Sequence, residues 1–107
     1  MANTFKNQGA ALTTGGGVVY TAPAATTSIV HSCYVSNIDG SASVDVDIKA
    51  RATSGDTNYH VAKGVPVPSG STLLLDKPID LEATGVIHMT ASANSDAEAV
   101  LGILEIT

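Results

Sequence analysis

The chain has 107 residues, which is the size of one domain. Its net charge is −5, and charged side chains occupy only 14% of its positions. The few cations are scattered and form no basic stripe for nucleic acid, and no apolar run approaches the roughly 18 residues that a membrane-spanning helix needs. Ala, Gly, Ser and Thr occupy 47 positions. A surface so poor in charge is typical of a protein packed against copies of itself or against a larger assembly; a small, plain globular domain is the alternative.

The cysteine content and the first residues indicate where the chain is made. Its single cysteine, Cys33, has no partner for an internal disulfide, and no Cys/His pattern has the spacing of a zinc site. The opening MANTFKNQGAALTT lacks the charged-then-apolar order of a secretory signal. We therefore expect synthesis in a reducing cytoplasm, with no metal or other cofactor.

The first predicted element is a flexible N-terminal arm over residues 1–17. Its polar first part contains Phe5, the only phenylalanine, next to Lys6. We expect Gly15, Gly16 and Gly17 to form a hinge, because glycine adopts many backbone conformations at little steric cost. These five residues are the predicted interaction residues of an arm that reaches a neighbouring subunit; a frayed terminus or an ordinary first strand is the alternative.

Alternation of apolar and polar residues predicts β-strands from residue 18 onward. Strands are expected over residues 18–20 and 29–37. The clearest pattern covers residues 44–51, where Val44, Val46 and Ile48 point to one face and charged residues point to the other. The turn signal at residues 39–41 predicts a hairpin between this strand and the one over residues 29–37.

The second half of the chain continues the strand pattern. Strands are expected over residues 58–63, 71–76 and 79–81, with a loop at residues 53–56. Pro66 and Pro68 indicate an extended, edge-like connection, because proline donates no hydrogen bond to a central ladder. The run Leu73-Leu74-Leu75 predicts burial on both faces. Strands over residues 86–93 and 99–106 form the last expected pair.

These short strands, separated by Gly, Pro, Asn and Ser turns, predict an all-β fold. We expect one antiparallel β-sandwich or jelly-roll-like domain of about eight strands over residues 18–107. The core is predicted to include Val44, Val46, Ile48, Leu73, Leu75, Val100 and Leu104.

Three neighbouring residues, His31, Ser32 and Cys33, raise the question of a nucleophilic site. In a regular strand, His31 and Cys33 share one face with core residues while Ser32 points to the other face. On that geometry His31 is not a base for Ser32. A cysteine on an apolar face has a raised thiol pKa, which suppresses the reactive thiolate. The pattern therefore indicates a structural strand and an inert cysteine.

The remaining candidate groups do not form a catalytic or metal-binding pattern. Asp45 and Asp47 alternate on a wet strand face, as carboxylates of solvated strands commonly do. A calcium site around Asp76, Asp80 and Glu82 would need further oxygen ligands. His60 and His88 are isolated, and the glycines at 15–17 lack the lysine of a phosphate-binding loop. We predict no catalytic, cofactor-binding or metal-binding residue.

Three segments and the chain's first residues carry a resemblance to a known group of proteins. They are residues 19–30 (VYTAPAATTSIV) followed by Val35-Ser36-Asn37, residues 67–75 (VPSGSTLLL), and residues 104–107 (LEIT), with the opening MANTFKN. Together they resemble small structural proteins of tailed bacteriophages. The resemblance covers nearly the whole chain and brings no catalytic motif.

The resemblance implies a non-enzymatic virion protein, made in the host cytoplasm and located in the virion. We expect a capsid decoration (cement) protein that binds the major capsid protein or other virion proteins. Such proteins typically act as symmetric oligomers, so a homo-oligomer is expected, with a trimer favoured. A tail, neck or baseplate component is the alternative within this class.

Two other function classes are weighed against it. A carbohydrate-binding module for host recognition usually presents clustered aromatic side chains, whereas Phe5, Tyr20, Tyr34 and Tyr59 lie apart in the sequence. A small enzyme needs a nucleophile, a base and an oxyanion site together, and no such set is evident.

Overall fold

Nine β-strands account for most of the residues that the structure describes. The structure, a computed structural model, describes residues 2–53 and 55–107. Met1 of the expected arm and Ser54 of the expected loop at 53–56 lie outside the described residues. The strands are β1 (Asn3–Ala11), β2 (Gly17–Thr21), β3 (Thr27–Asn37), β4 (Val44–Arg51), β5 (Tyr59–Val67), β6 (Thr72–Leu75), β7 (Ile79–Leu81), β8 (Val86–Ala91) and β9 (Ala97–Ile106).

Two antiparallel sheets pack face to face. One has the order β1-β9-β3-β6, with the short β7 also paired to β3, and the other has the order β2-β8-β4-β5. The pairs β1:β9, β2:β8, β3:β6 and β4:β5 form one long two-stranded ribbon that is rolled up, which is the jelly-roll topology. The predicted all-β antiparallel sandwich is confirmed. Within the described ranges no helix is present that could cross a membrane.

The core lies between the inner faces of the two sheets. Val44, Val46 and Ile48 of β4 are at most 1% exposed, as their alternation predicts. From the opposite sheet, Leu101 and Ile103 of β9 are fully buried. Because side chains alternate along a strand, every second side chain points into the core, where branched aliphatic residues form a layer between the sheets.

Neither the predicted hairpin nor the last expected strand pair forms. Strands β3 and β4 lie in different sheets, as do β8 and β9, so both connections cross the sandwich. The buried Asn37 holds the first crossing: its Nδ2 donates to the carbonyls of Ala42 and Val67, each at 2.8 Å, and its Oδ1 accepts from the Asp39 amide at 2.9 Å. These bonds bind the turn to β5 of the other sheet instead of closing a hairpin.

Several predicted core positions are wrong or only half-buried. Val100 is 48% exposed, because β9 directs Leu101 and Ile103 inward and Val100 outward. Leu104 shares the outward face and is half-buried. The expected burial of Leu73-Leu74-Leu75 on both faces is also wrong, since Leu74 is 58% exposed while its two neighbours are half-buried.

The segment predicted as a flexible arm is part of the sandwich. Residues 3–11 form β1, which pairs with β9 over nine registers from Asn3↔Ile106 to Ala11↔Glu98. Leu12 then enters the core at 3% exposure. This corrects the boundary at residue 17 in favour of the alternative, an ordinary first strand, because apolar contacts and ladder bonds hold the segment against β9.

The expected glycine hinge is an anchored turn. Gly16 donates to the Thr13 carbonyl at 3.2 Å and has a φ of 75°, a conformation that favours glycine. A Cβ on Gly16 would lie 2.7 Å from Thr90 Oγ1 and 2.8 Å from His88 Cε1. Glycine is thus required at this position by backbone conformation and by close packing, while Gly17 already begins β2.

Candidate functional site

The outer face of the five-stranded sheet is the main unusual surface of the molecule. Antiparallel pairing places side chains of neighbouring strands in rows across it. One row contains Val100, Tyr34 and Leu74, which are paired through the registers Val100↔Tyr34 and Tyr34↔Leu74. All three are exposed, at 48%, 45% and 58%.

A second apolar row runs parallel to the first. Phe5 pairs with Leu104, and Leu104 pairs with Ile29. Phe5 is 73% exposed and the other two are half-buried. We call the surface formed by the two rows the apolar face; it consists of Phe5, Ile29, Tyr34, Leu74, Val100 and Leu104.

A β-bulge at His31 lies between the two rows and corrects the expected geometry of this strand. The pairing with β9 jumps from Val30↔Ile103 to Ser32↔Gly102, so His31 is the extra residue. The bulge turns both His31 and Ser32 to the outer face, and Cys33 to the core. The prediction that His31 and Cys33 share a face, opposite Ser32, is therefore wrong.

The bulge leaves His31 lying across β9. Its Nδ1 is 3.4 Å from Ser32 Oγ, and its ring meets Phe5 edge-on with 5.9 Å between ring centroids. Gly102 makes room for this arrangement, because a Cβ there would lie 2.7 Å from His31 Cε1. The His31–Ser32 contact is longer than the 2.6–3.2 Å of a hydrogen-bonded base–nucleophile pair, and the imidazole ring lies against the end of the Phe5 row.

The two outer faces of the sandwich differ strongly in charge. The outer face of the four-stranded sheet carries the charged residues of β4, namely Asp45, Asp47, Lys49 and Arg51, which alternate with the buried residues of that strand. On the apolar face, the charged side chains at described strand positions are Asp80 and Glu98, both at its margins. An apolar sheet face with a carboxylate only at its rim is the pattern of a surface that contacts another protein.

The predicted interaction residues are divided between two places. Phe5 lies on the apolar face, whereas Lys6 points to the opposite side of β1. Gly15, Gly16 and Gly17 lie at the turn into β2 and do not approach Phe5 along the sheet. The structure thus brings Phe5 together with Tyr34, Leu74 and Val100, residues that the sequence reasoning did not select.

Lys6 belongs to a polar network that joins the two sheets. Its Nζ is 3.5 Å from Glu105 Oε2 and 6.0 Å from the centre of the Tyr20 ring. The Tyr20 hydroxyl donates to Glu105 Oε2 at 2.5 Å and lies 2.8 Å from Ser28 Oγ. Burial, followed by the hydrogen bond to Glu105, raises the pKa of Tyr20 to about 12. The network is structural, because it fixes β2 against β3 and β9.

Cys33 lies in the core at 4% exposure. Burial raises the pKa of its thiol to about 11, so little thiolate is present at neutral pH. On the other sheet, burial and then the positive charges of Lys49 and Arg51 lower the pKa of His88. Neither residue adjoins the apolar face.

The acidic candidates are dispersed. Asp47 Oδ1 accepts a hydrogen bond from the Gly64 amide at 2.6 Å, which gives it a role in the β4–β5 edge. Across residues 2–53 and 55–107, no three His, Cys, Asp or Glu side chains converge as metal ligands would.

An open groove lies at one end of the sandwich, between β4, β5 and β7. It has a volume of about 380 Å³ and is mostly apolar. The exposed ring of Tyr59 lies in it together with Arg51 and the carboxylates Asp56, Asp80 and Glu82. The core residue Leu81 lies at its base, and Asp80 belongs both to the groove and to the rim of the apolar face.

Comparison with known proteins does not assign the chain to a family. No family model matches the chain, and no curated protein shows significant sequence similarity to it.

Proposed function

We propose that this chain is a non-enzymatic structural protein of a tailed-bacteriophage virion, and specifically a capsid decoration protein that binds the shell as a homo-oligomer. The apolar face is the observation that carries the proposal. A face that exposes Phe5, Tyr34, Leu74 and Val100 without a central charge is suited to burial against another protein surface.

Two further features support the same function. The sequence resembles small virion proteins over nearly its whole length, and the jelly roll is an architecture that viral capsid domains use. The second point is an analogy of fold alone, since jelly rolls also occur in lectins and enzymes. Low charge and many small side chains agree with a protein whose surface is largely covered in an assembly.

The direct test is to locate the protein on purified particles. Cryo-microscopy with quantitative mass spectrometry would measure position and copy number, and hundreds of copies on the shell are expected. Six to a few dozen copies at the neck or baseplate would move the function to the alternative within this class. Absence from particles would refute a virion role.

A matched pair of variants tests the apolar face itself. Leu74→Asp places a charge at the β6 end of one apolar row, and Val18→Asp places the same charge on the other sheet at a residue of similar exposure, 51% against 58%. We expect Leu74→Asp to weaken co-sedimentation with particles lacking the protein at least about tenfold, equivalent to about 1.4 kcal/mol. Equal binding by both variants would show that the apolar face is not the contact surface.

A second candidate function, carbohydrate binding, rests on the groove at the end of the sandwich. Tyr59 is 72% exposed there, and an aromatic ring beside carboxylates and an arginine offers both a stacking surface and hydrogen-bond partners for a sugar. A glycan array tests it, with Tyr59→Ala as the specificity control. Binding that persists in Tyr59→Ala, or no binding at all, would remove this candidate.

A further inference from the structure

The free edges of the two sheets are not equally protected against pairing. Edge strands normally carry a feature that blocks addition of another strand, such as proline, a bulge or short length. β5 has Pro66 and register shifts against β4, and β2 has five residues and a shift between Val18 and Tyr20. β6 and β7 have only four and three residues.

β1 has none of these features. It is nine residues long, contains no proline and pairs with β9 without a register shift. Its one charged side chain, Lys6, points to the inner side of the sheet toward Glu105. Among the described strands, β1 is therefore the edge that remains open to pairing, and its other side has no partner within the described ranges.

The hydrogen bonds at both ends of β1 fix which backbone groups face outward. Ala2 and Thr107 exchange two bonds, at 3.2 and 2.9 Å, and the Leu12 amide donates to the Ala97 carbonyl at 2.9 Å. In an antiparallel ladder the bonding residues alternate, so the even-numbered residues between 2 and 12 bond to β9. The outward amides and carbonyls belong to Asn3, Phe5, Asn7, Gly9 and Ala11.

We infer that β1 pairs with β1 of a second copy of this chain, antiparallel and about a two-fold axis at Asn7. In this register Asn7 lies opposite Asn7 of the partner subunit, and Phe5 lies opposite Gly9 of the partner subunit. All five outward-facing residues then have a partner, which gives ten interchain hydrogen bonds at two for each pair. The ring of Phe5 covers the bare backbone of the opposing glycine, a pairing that stabilises glycine in strands.

Charge and bond number distinguish this register from its neighbours. An axis at Lys6 would place Lys6 opposite Lys6 of the partner subunit, and like charges directly opposite are destabilising. An axis at Gln8 would leave Asn3 beyond the end of the pairing. The axis at Asn7 places Lys6 opposite Gln8 of the partner subunit and uses the whole strand.

The dimer joins the two five-stranded sheets into one. The two apolar faces become parts of a single continuous surface, with a Phe5 from each copy near its centre. This inference rests on the homo-oligomer part of the proposed function and specifies it as a two-fold dimer. The trimer stays a prediction of the sequence resemblance, and the two are separated by mass.

Asn7→Pro is the decisive variant. Proline removes an outward amide that β9 does not use, and edge strands tolerate proline at such positions. The matched control, Asn7→Thr, keeps the amide and suits a strand. Light scattering after size exclusion is expected to give twice the 10.8 kDa chain mass for the wild type and Asn7→Thr. Asn7→Pro is expected to raise the dimer dissociation constant at least tenfold.

A cysteine at the axis tests the register independently of any effect of proline on folding. The Cα atoms of a hydrogen-bonded antiparallel pair are about 5.5 Å apart, within the range that a disulfide spans. Asn7→Cys should therefore cross-link two copies under mild oxidation, whereas Asn3→Cys should not, because Asn3 faces Ala11 of the partner subunit. The buried Cys33 does not compete for the oxidant.

Three results would overturn the inference: a monomeric or trimeric wild type, an Asn7→Pro variant that dimerises as well as Asn7→Thr, or equal cross-linking of the two cysteine variants. Failure of the virion proposal looks different. If the protein forms the predicted cross-linked dimer but is absent from particles, the virion role is refuted and the edge pairing is supported. If the protein is monomeric but bound to particles, the edge pairing is refuted and the virion role is supported.

Discussion

The hydroxyl of Tyr20 offers a sharp test of the polar network, because its removal changes one oxygen atom and leaves the ring in place. In Tyr20→Phe, Ser28 loses its partner at 2.8 Å, and Ser28 is fully buried. Glu105, which is half-buried, keeps only its contact with Lys6. A buried polar group left without a partner costs about 1–3 kcal/mol.

We therefore expect Tyr20→Phe to lower the free energy of unfolding by about 1–3 kcal/mol, measured by urea denaturation. For a domain of this size the melting temperature should fall by roughly 5–20 °C. Tyr34→Phe is the matched control, since the Tyr34 ring is 45% exposed on the apolar face, and it should change stability by less than about 0.5 kcal/mol.

The same variant tests the titration of Tyr20. A pKa raised from 10.0 to about 12 means that the folded state holds the phenolic proton more tightly than the unfolded state does. The associated stabilisation is complete below the unfolded pKa and is lost as the pH rises toward 12. Tyr20→Phe should lack this alkaline loss and the late phenolate absorbance. A loss of stability below about 0.5 kcal/mol, or an unchanged alkaline titration, would refute the network as described.

The remaining predictions concern the core, the thiol and the first strand. Ile48→Ala should cost about 2–5 kcal/mol in urea denaturation because Ile48 is fully buried; a change below about 0.5 kcal/mol would mean that its face is exposed. Cys33 should react with a thiol reagent only on unfolding, given its burial and a pKa of about 11, and Cys33→Ala should still assemble; rapid labelling of the native protein would contradict this. Deleting residues 1–14 should lower the melting temperature, since it removes the buried Leu12 and uncovers β9; an unchanged melting temperature would restore the interpretation of a detachable arm.

Alternation along one strand was enough to predict its buried face where polar residues marked the other face. β4 is the example: Asp45 and Asp47 separate Val44, Val46 and Ile48 so clearly that only one orientation is possible. The run from Val100 to Leu104 has no such marker, and both orientations of β9 are consistent with it. The orientation of Leu101 and Ile103 is decided by pairing with β3, about 70 residues away, and with the still more distant β1, which local sequence does not encode.

The two connections that cross between the sheets and the apolar face could not be predicted from local sequence, because both depend on pairing between strands that are distant in the chain. A turn at residues 39–41 closes a hairpin or a crossing equally well, and Asn37 decides between them through bonds to β5. The single extra residue at His31 interrupts the alternation, so Val30 points to the core and Ser32 points to the outer face. Apolar residues on both faces, as at Leu73-Leu74-Leu75, predict burial of both faces within the domain, but they are equally typical of a strand whose second face is covered by another chain.

Because β1 pairs with β9, the first strand of the chain is synthesised well before the strand with which it pairs. Synthesis adds about 5–20 residues per second, so the 86 residues from Leu12 through Ala97, where β9 begins, take roughly 4–17 s. During that interval β1 has been made and its intramolecular partner has not. Chains growing side by side on one messenger RNA would therefore hold unpaired copies of the same nine-residue strand close together. Newly made protein should consequently depend more strongly on expression rate and temperature for its solubility than the finished domain does.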